Sequence, residues 1–487
     1  MGLPNVLWFC SDEQRPDSLS CYGSAWAKTP NIERIASRGT VFHNAVCPSP
    51  MCLPSRSSVL SARYPQEFSC LNNSLSRQVN DFPDGYETFP EVLSREGYET
   101  VNFGRFNCLR QSVFERNEQT GDYLSEYTDH FSLNTRYDET TYHVLKRPGP
   151  DNRPLIIAGT YPGESNPNQI STDRAIDFLE GRTAGAPPFL LRVSFNQPHT
   201  PTLAPNPYDS IYDPDELPVR FFDANSLESR SEFDRRYASL HRMDLLTEEQ
   251  YRQVWKDYMG LCAYIDSELG RVLDALEDAG LRENTLIFYS TDHGKSLGEW
   301  GSGEKGTFDS EVWRVPFVWS LPGRIPEGAR VETPCGTIDT ARTLLSLLGI
   351  ANRIPDTFRG TNLFAAEGDR ESATPASADR NDFAFGVIRP PIEDWPELDP
   401  RLMRVAVRSS RFRLDLDWHT DGSPPPENRQ DGSLYDLERD PLETRNLWAS
   451  PQMGRERDRL VAAIQSWIDR YPPGAIAQDP SNAGTHY

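Results

Sequence analysis

Asn5-Val-Leu-Trp-Phe-Cys10-Ser11-Asp12-Glu13 opens the chain with an apolar run that stops on two acids. A short run with no polar alternation fits a strand covered on both faces, the habit of parallel sheets lying between helix layers. The two carboxylates then fall just past the strand's C-terminal end, the edge where open α/β sheets hold their ligands. The same alternation repeats outward from this stretch. Helical spacing over 29–39 precedes Val41-Phe-His-Asn-Ala-Val46, and a helix over 89–96 precedes Thr100-Val-Asn-Phe103. A helix over 171–179 precedes Phe189-Leu-Leu-Arg-Val-Ser-Phe195, and a long one over 248–279 precedes Thr285-Leu-Ile-Phe-Tyr289. The pattern predicts an α/β fold in which a large, mainly parallel sheet is sandwiched by helices.

After a helix over 339–348 the composition shifts to a small-residue, charged linker at 365–381. Beyond it, Phe383-Ala-Phe-Gly-Val-Ile388, Met403-Arg-Val-Ala-Val407, Phe412-Arg-Leu-Asp-Leu416 and Ser433-Leu-Tyr-Asp-Leu437 follow one another without long helices, which predicts an antiparallel sheet. An amphipathic helix over 455–471 would pack on it. The 487-residue chain exceeds the size at which one core keeps growing, so the expectation is a catalytic α/β domain, 1–370, and a smaller C-terminal α+β subdomain, 371–487. The polar, proline-bearing stretches 110–165 and 200–240 read as long excursions over the ligand edge. A short helix is expected at 57–62, with Pro54 and Ser55 starting it.

The net charge of -22 argues against a nucleic-acid partner, and no apolar stretch has the length of a membrane span. The first residues lack the basic region and apolar run of a secretory leader, so a soluble, cytoplasmic protein is expected, with oligomerisation left open. Eight cysteines, at 10, 21, 47, 52, 70, 108, 262 and 335, sit mostly in apolar surroundings and read as buried free thiols.

Several polar residues share one kind of position. Asp12 and Glu13 follow the first strand, Arg105 and Asn107 follow Thr100 to Phe103, His199 follows Phe189 to Phe195, and Asp292-His293 follows Thr285 to Tyr289. Though far apart in sequence, all would face the same pocket. Asp12, Glu13, Asp292 and His293 form a hard-ligand set suited to Ca²⁺, Mg²⁺ or Mn²⁺ rather than to a thiolate zinc site.

The segment Pro50-Met-Cys52-Leu-Pro54-Ser55-Arg56, followed by Ala62-Arg63-Tyr-Pro65, resembles the signature of the sulfatase family, C-x-P-S-R and then G/A-R-Y-P. That family includes arylsulfatases, choline sulfatases and phosphonate monoester hydrolases, within the alkaline-phosphatase-like superfamily. The resemblance continues in order through Thr29-Pro-Asn-Ile32, Pro198-His-Thr-Pro201, Ser290-Thr-Asp-His-Gly294, Lys305-Gly306, Arg314-Val-Pro-Phe317 and Leu434-Tyr-Asp-Leu-Glu-Arg-Asp-Pro441. It implies that Cys52 is oxidised to formylglycine by a formylglycine-generating enzyme. The hydrated aldehyde would join one divalent metal ion, Ca²⁺ or else Mg²⁺ or Mn²⁺, together with Asp12, Glu13, Asp292 and His293. Arg56 would hold the hydrate, His199 and Lys305 would bind the sulfate of a small anionic ester, and His199 would protonate the leaving oxygen. The implied activity is hydrolysis of a sulfate monoester.

One motif departs from the family. Where sulfatases commonly carry G-K-x-H, this chain has Gly104-Arg105-Phe106-Asn107. Arg105 keeps the charge and adds a second donor, whereas Asn107 cannot act as a base at neutral pH. Relatives that hydrolyse phosphonate monoesters and phosphodiesters also lack that Lys and His, which makes such substrates the alternative. A binding protein on an inactive scaffold is the third reading.

Overall fold

The computed structural model describes residues 2–73, 81–119, 143–146, 154–161, 166–221, 223–364, 382–390, 395, 398–426 and 431–474. Eight strands form the main sheet: β1 (Asn5–Ser11), β2 (Thr40–Phe42), β3 (Glu99–Gly104), β4 (Arg116–Glu118), β5 (Phe189–Ser194), β6 (Thr285–Thr291), β7 (Phe317–Ser320) and β8 (Ala329–Val331). Their spatial order is β8-β2-β7-β6-β1-β5-β3-β4. β7 runs antiparallel to β6 and β2, and every other neighbouring pair is parallel.

The opening strand is central because both its faces are apolar. Val6, Trp8 and Cys10 pack with Val59, Leu60, Val92 and Leu344, while Leu7 and Phe9 pack with Ala175, Leu179, Ile265 and Leu269. The first set brings helices Cys52–Ser61, Phe89–Arg95 and Thr340–Leu347 to one side of the sheet. The second brings Pro167–Glu180 and Glu248–Asp278 to the other. This is the expected α/β sandwich, with the two-residue period of the strand assigning each side chain to a layer.

In the C-terminal part, strands Ala384–Ile388, Leu402–Arg408, Phe412–His419 and Gly432–Asp436 pair antiparallel in that order. Helix Gly454–Arg470 lays Leu460, Ile464, Trp467 and Ile468 against Val405, Leu414 and Leu416. The expected linker, 365–381, lies outside the described residues. All eight cysteines are free and buried. Among the described residues no helix is long and apolar enough to cross a membrane.

Three local expectations change. The helix placed at 57–62 starts at Cys52, since Pro54 sits in the first turn, where no intrahelical N–H is required of it. The stretch 41–46 splits into Thr40–Phe42 and Ala45–Val46. The 200–240 stretch contains helix Glu232–His241, capped by the Ser231 hydroxyl accepting from Asp234 N–H at 3.2 Å.

Gly104 closes β3 with φ of 98°, and a Cβ there would lie 2.0 Å from the Ser194 carbonyl oxygen. Gly104→Ala therefore combines a left-handed backbone with a collision against a neighbouring strand. It is expected to cost at least about 2 kcal/mol, read as a lower urea midpoint. An unchanged midpoint would mean that β3 can end in another way.

Candidate active site

The strand ends deliver the site. Asp12 and Glu13 leave β1, Asp292 and His293 leave β6, Arg105 leaves β3, and the segment after β5 brings His199. Helix Cys52–Ser61 presents its first residue to the same edge. One ligand atom from each of Asp12, Cys52, Asp292 and His293 lies within 4.8 Å of the others, and all four residues are buried.

Arg56, one turn into that helix, locks this group. Its Nη2 is 2.8 Å from Asp12 Oδ2, its Nε 2.9 Å from Asp292 Oδ2, and its Nη1 donates to Ser194 Oγ at 3.3 Å. The Ser55 hydroxyl donates to the Asp292 carbonyl oxygen at 2.6 Å, tying helix start to strand end. Arg105 Nε reaches Asp12 Oδ2 at 3.0 Å. Asp292 Oδ1 accepts from the N–H groups of Glu13 at 3.1 Å and His293 at 2.9 Å.

His293 Nδ1 is 2.8 Å from the Gly294 carbonyl oxygen, which can only accept, so Nδ1 carries a hydrogen. Its Nε2 faces Cys52 Sγ at 3.2 Å. Burial disfavours charge on this imidazole, yet Asp292 and Cys52 push it up to about 9. Burial also raises the Asp12 carboxyl despite Arg105, with Asp292 adding to the rise. Asp12 Oδ1 is buried without a hydrogen-bond partner, a costly state for a carboxylate oxygen unless a cation accepts its lone pairs. The carboxylates, an imidazole and position 52 fit one hard divalent cation.

A second, cationic half adjoins the first. Glu13 leaves β1 with φ of 59°, a left-handed conformation that costs of order 1–3 kcal/mol for a residue with a Cβ. Its carboxylate is 2.7 Å from Lys295 Nζ, 3.2 Å from His199 Nε2, and in contact with Lys305 Nζ. Burial pushes Glu13 up, but the Lys295 and Lys305 ammonium groups hold it well below the usual range. His199 Nδ1 lies 2.6 Å from the Thr200 carbonyl oxygen, and its Nε2 is 3.0 Å from Lys305 Nζ. Burial, reinforced by Lys305 and opposed by Glu13, keeps His199 well below its ordinary value and hence neutral.

Cys52, Arg56, Arg105, His199, Lys305, Asp12, Glu13, Asp292 and His293 therefore come together at one sheet edge. Glu13 groups with Asp12 and His199, on the cationic side. Asn107 is partly exposed, with φ of 40°. Sequence reasoning passed over Lys295, whose Nζ also donates to Thr200 Oγ1 at 2.8 Å and lies 3.2 Å from Glu304 Oε1. The available signal was a lysine directly following Asp292-His293-Gly294. Ser194, buried at the end of β5, was missed because one serine in an apolar strand carries no distinctive pattern.

The sulfatase family model matches residues 4–350. Iduronate 2-sulfatase of Mus musculus is 28% identical over 340 residues, 66% of this chain and 60% of that protein. The chain thus spans less than two thirds of that relative's length. N-acetylglucosamine-6-O-sulfatase of Bacteroides thetaiotaomicron is 22% identical over 532 residues, covering 96% of this chain and 87% of that one. The solved structure of a phosphonate monoester hydrolase from Silicibacter pomeroyi superposes with a TM-score of 0.75 at 21% identity, over 97% of each chain, a likeness of fold. The family match runs from the first strand to beyond β8 and encloses every residue gathered at the sheet edge; this chain belongs to the sulfatase family.

Proposed function

We propose that the protein hydrolyses a sulfate monoester, using residue 52 as formylglycine beside one divalent cation held by Asp12, Asp292, His293 and the oxidised side chain, with Glu13 bordering both halves of the site. The observation that carries this reading is the convergence of Cys52 Sγ with three metal-competent side chains inside 4.8 Å. In the mature protein the sulfur would be replaced by the oxygens of a hydrated aldehyde. The reading includes maturation by a formylglycine-generating enzyme, a cytoplasmic location and a division of the chain near residue 370. The cation, when bound, would lower the pKa of the attacking hydroxyl and offset substrate charge.

The chain's own residues supply the rest. Arg56 fixes Asp12 and Asp292, so the two acids are in place beside position 52 before substrate arrives. Arg105 and Lys305 draw the anion in, and Asp12 limits how far Arg105 can move. Since Nδ1 of His199 is committed to the Thr200 carbonyl, Nε2 is the atom that exchanges protons, and Lys305 is the donor aimed at it. The leaving oxygen would be protonated on this side of the site. One hydroxyl of the hydrate forms the bond to sulfur as the bond to the leaving oxygen breaks. Loss of a proton from the other then re-forms the carbonyl and expels sulfate.

The second reading, a phosphonate monoester or phosphodiester hydrolase, is favoured by Asn107, which offers no base to take that last proton. Purified protein would be assayed against an aryl sulfate, a phenyl phosphonate and a phosphodiester, with mass spectrometry of the Cys52 peptide alongside. Fastest turnover of the sulfate by aldehyde-bearing protein is expected. Predominant turnover of the phosphorus esters would install the second reading. Unmodified thiol with no turnover in the native host would favour a binding protein.

A further inference from the structure

β5 carries a residue out of keeping with its apolar interior: Arg192, whose side chain is fully buried in the middle of the main sheet. A guanidinium there is costly unless charge and hydrogen bonds compensate it. Among the described residues it forms no ion pair with a carboxylate. It lies over the Trp8 ring, 4.6 Å from the centroid, and its Nε and Nη2 have no oxygen or nitrogen acceptor. Only Nη1 makes hydrogen bonds to oxygen, to Asn102 Oδ1 at 2.8 Å and to the Arg105 carbonyl oxygen at 3.1 Å. Asn102 in turn donates from Nδ2 to the Gly104 carbonyl oxygen at 3.3 Å and to Asn117 Oδ1 at 2.9 Å.

The two carbonyls at the exit of β3 are thus each held from beneath, one by Asn102 and one by Arg192. The Arg105 N–H is fixed to the Ser194 carbonyl at 2.9 Å. The Arg105 backbone is gripped on both sides while its side chain reaches Asp12. A buried cation whose hydrogen bonds to oxygen all serve this one turn does not resemble a stabilising core residue, because an apolar side chain of similar length would fill the same space without a desolvation cost.

We propose that Arg192 is a positioning residue for the anion site, acting through Arg105: it sets the turn that aims the Arg105 guanidinium at the transferred oxyanion. The identity of that oxyanion as a sulfate ester rests on the function proposed above; the placement of Arg105 does not.

The test compares wild type, Arg192→Met, Arg192→Lys and Asn102→Ala, alone and in an Arg105→Ala background. Inorganic sulfate affinity is measured by calorimetry, KM and kcat on an aryl sulfate, and melting temperature by circular dichroism. Arg192→Met is expected to melt close to the wild-type temperature, because the relieved desolvation of the guanidinium offsets the loss of its donor at Asn102 Oδ1 and the Arg105 carbonyl, yet to bind sulfate about tenfold more weakly and to raise KM by a similar factor, with kcat less affected. Arg192→Lys should recover part of the loss, Asn102→Ala should weaken sulfate about threefold, and Arg192→Met should add less than about twofold once Arg105 is alanine. Sulfate affinity within about twofold of wild type for folded Arg192→Met, or a full additional loss in the Arg105→Ala background, would overturn the proposal. If Arg192→Met does not fold, Asn102→Ala decides in the same way. A wild type that turns over no sulfate or phosphorus ester would sink the proposed activity, while sulfate affinity would still decide the role of Arg192.

Discussion

Cys52→Ala is expected to lower turnover of the best ester substrate by at least about 10⁴-fold while leaving the protein folded. The two halves of that expectation have separate causes. Cys52 is the first residue of helix Cys52–Ser61, and alanine is a good helix former that keeps every backbone bond of that turn. The sulfur packs against His293 Nε2 at 3.2 Å, but Asp12 and Asp292 are fixed by Arg56, not by the sulfur. Removing one buried atom leaves a small void worth about 1 kcal/mol. The chemistry has no substitute. Arg56, Arg105 and Lys305 are cations at neutral pH with no lone pair to offer, and His199 Nε2 is engaged by Lys305. Residual activity would be limited to what binding and charge stabilisation give a water molecule. Turnover above about 1% of wild type, in protein with an unchanged melting temperature, would remove residue 52 from the reaction.

The architecture could be read from the sequence because the central strands are continuous apolar runs and the long helix 248–279 is strongly periodic. Asp12, Arg105 and Asp292 lie at one sheet edge for the same reason, since a residue just past the end of a parallel strand has one direction in which to face. Where it stopped is equally physical. Helix Cys52–Ser61 is buried on every side, so there is no alternation of apolar and polar residues to mark its start. Lys295 lies beyond the strand end in a buried turn, and only the fold brings it to Glu13, 282 residues away. The left-handed conformation of Glu13, which carries its carboxylate to the lysines, follows from the whole edge and not from its neighbours in sequence. The hard-ligand argument treated all the acids alike, and only the fold separates Glu13, beside His199, Lys295 and Lys305, from Asp12 and Asp292, which lie with Cys52 and His293.

Asp292→Asn is the sharper test of the metal, because it keeps shape and removes charge. The asparagine oxygen can still accept from the Glu13 and His293 N–H groups, so the turn after β6 should persist. At the other position an NH₂ group replaces the oxygen that now lies 2.9 Å from Arg56 Nε, setting donor against donor in a buried place. Arg56 keeps Asp12 at 2.8 Å, which limits the damage below that of a wholly unpaired buried cation. A loss of about 2–3 kcal/mol is expected, read from the urea midpoint. With one anionic ligand gone, affinity for a divalent cation should fall by at least about 100-fold and turnover by at least about 10³-fold. Stability offers a readout independent of catalysis. A ligand that binds the folded protein alone raises its melting temperature, so stripping wild type with a chelator should lower that temperature and adding back the divalent cation should restore it. The same treatment should leave Asp292→Asn unmoved. If chelator shifts wild type and variant equally, the cation is bound somewhere other than between Asp12, Asp292 and His293.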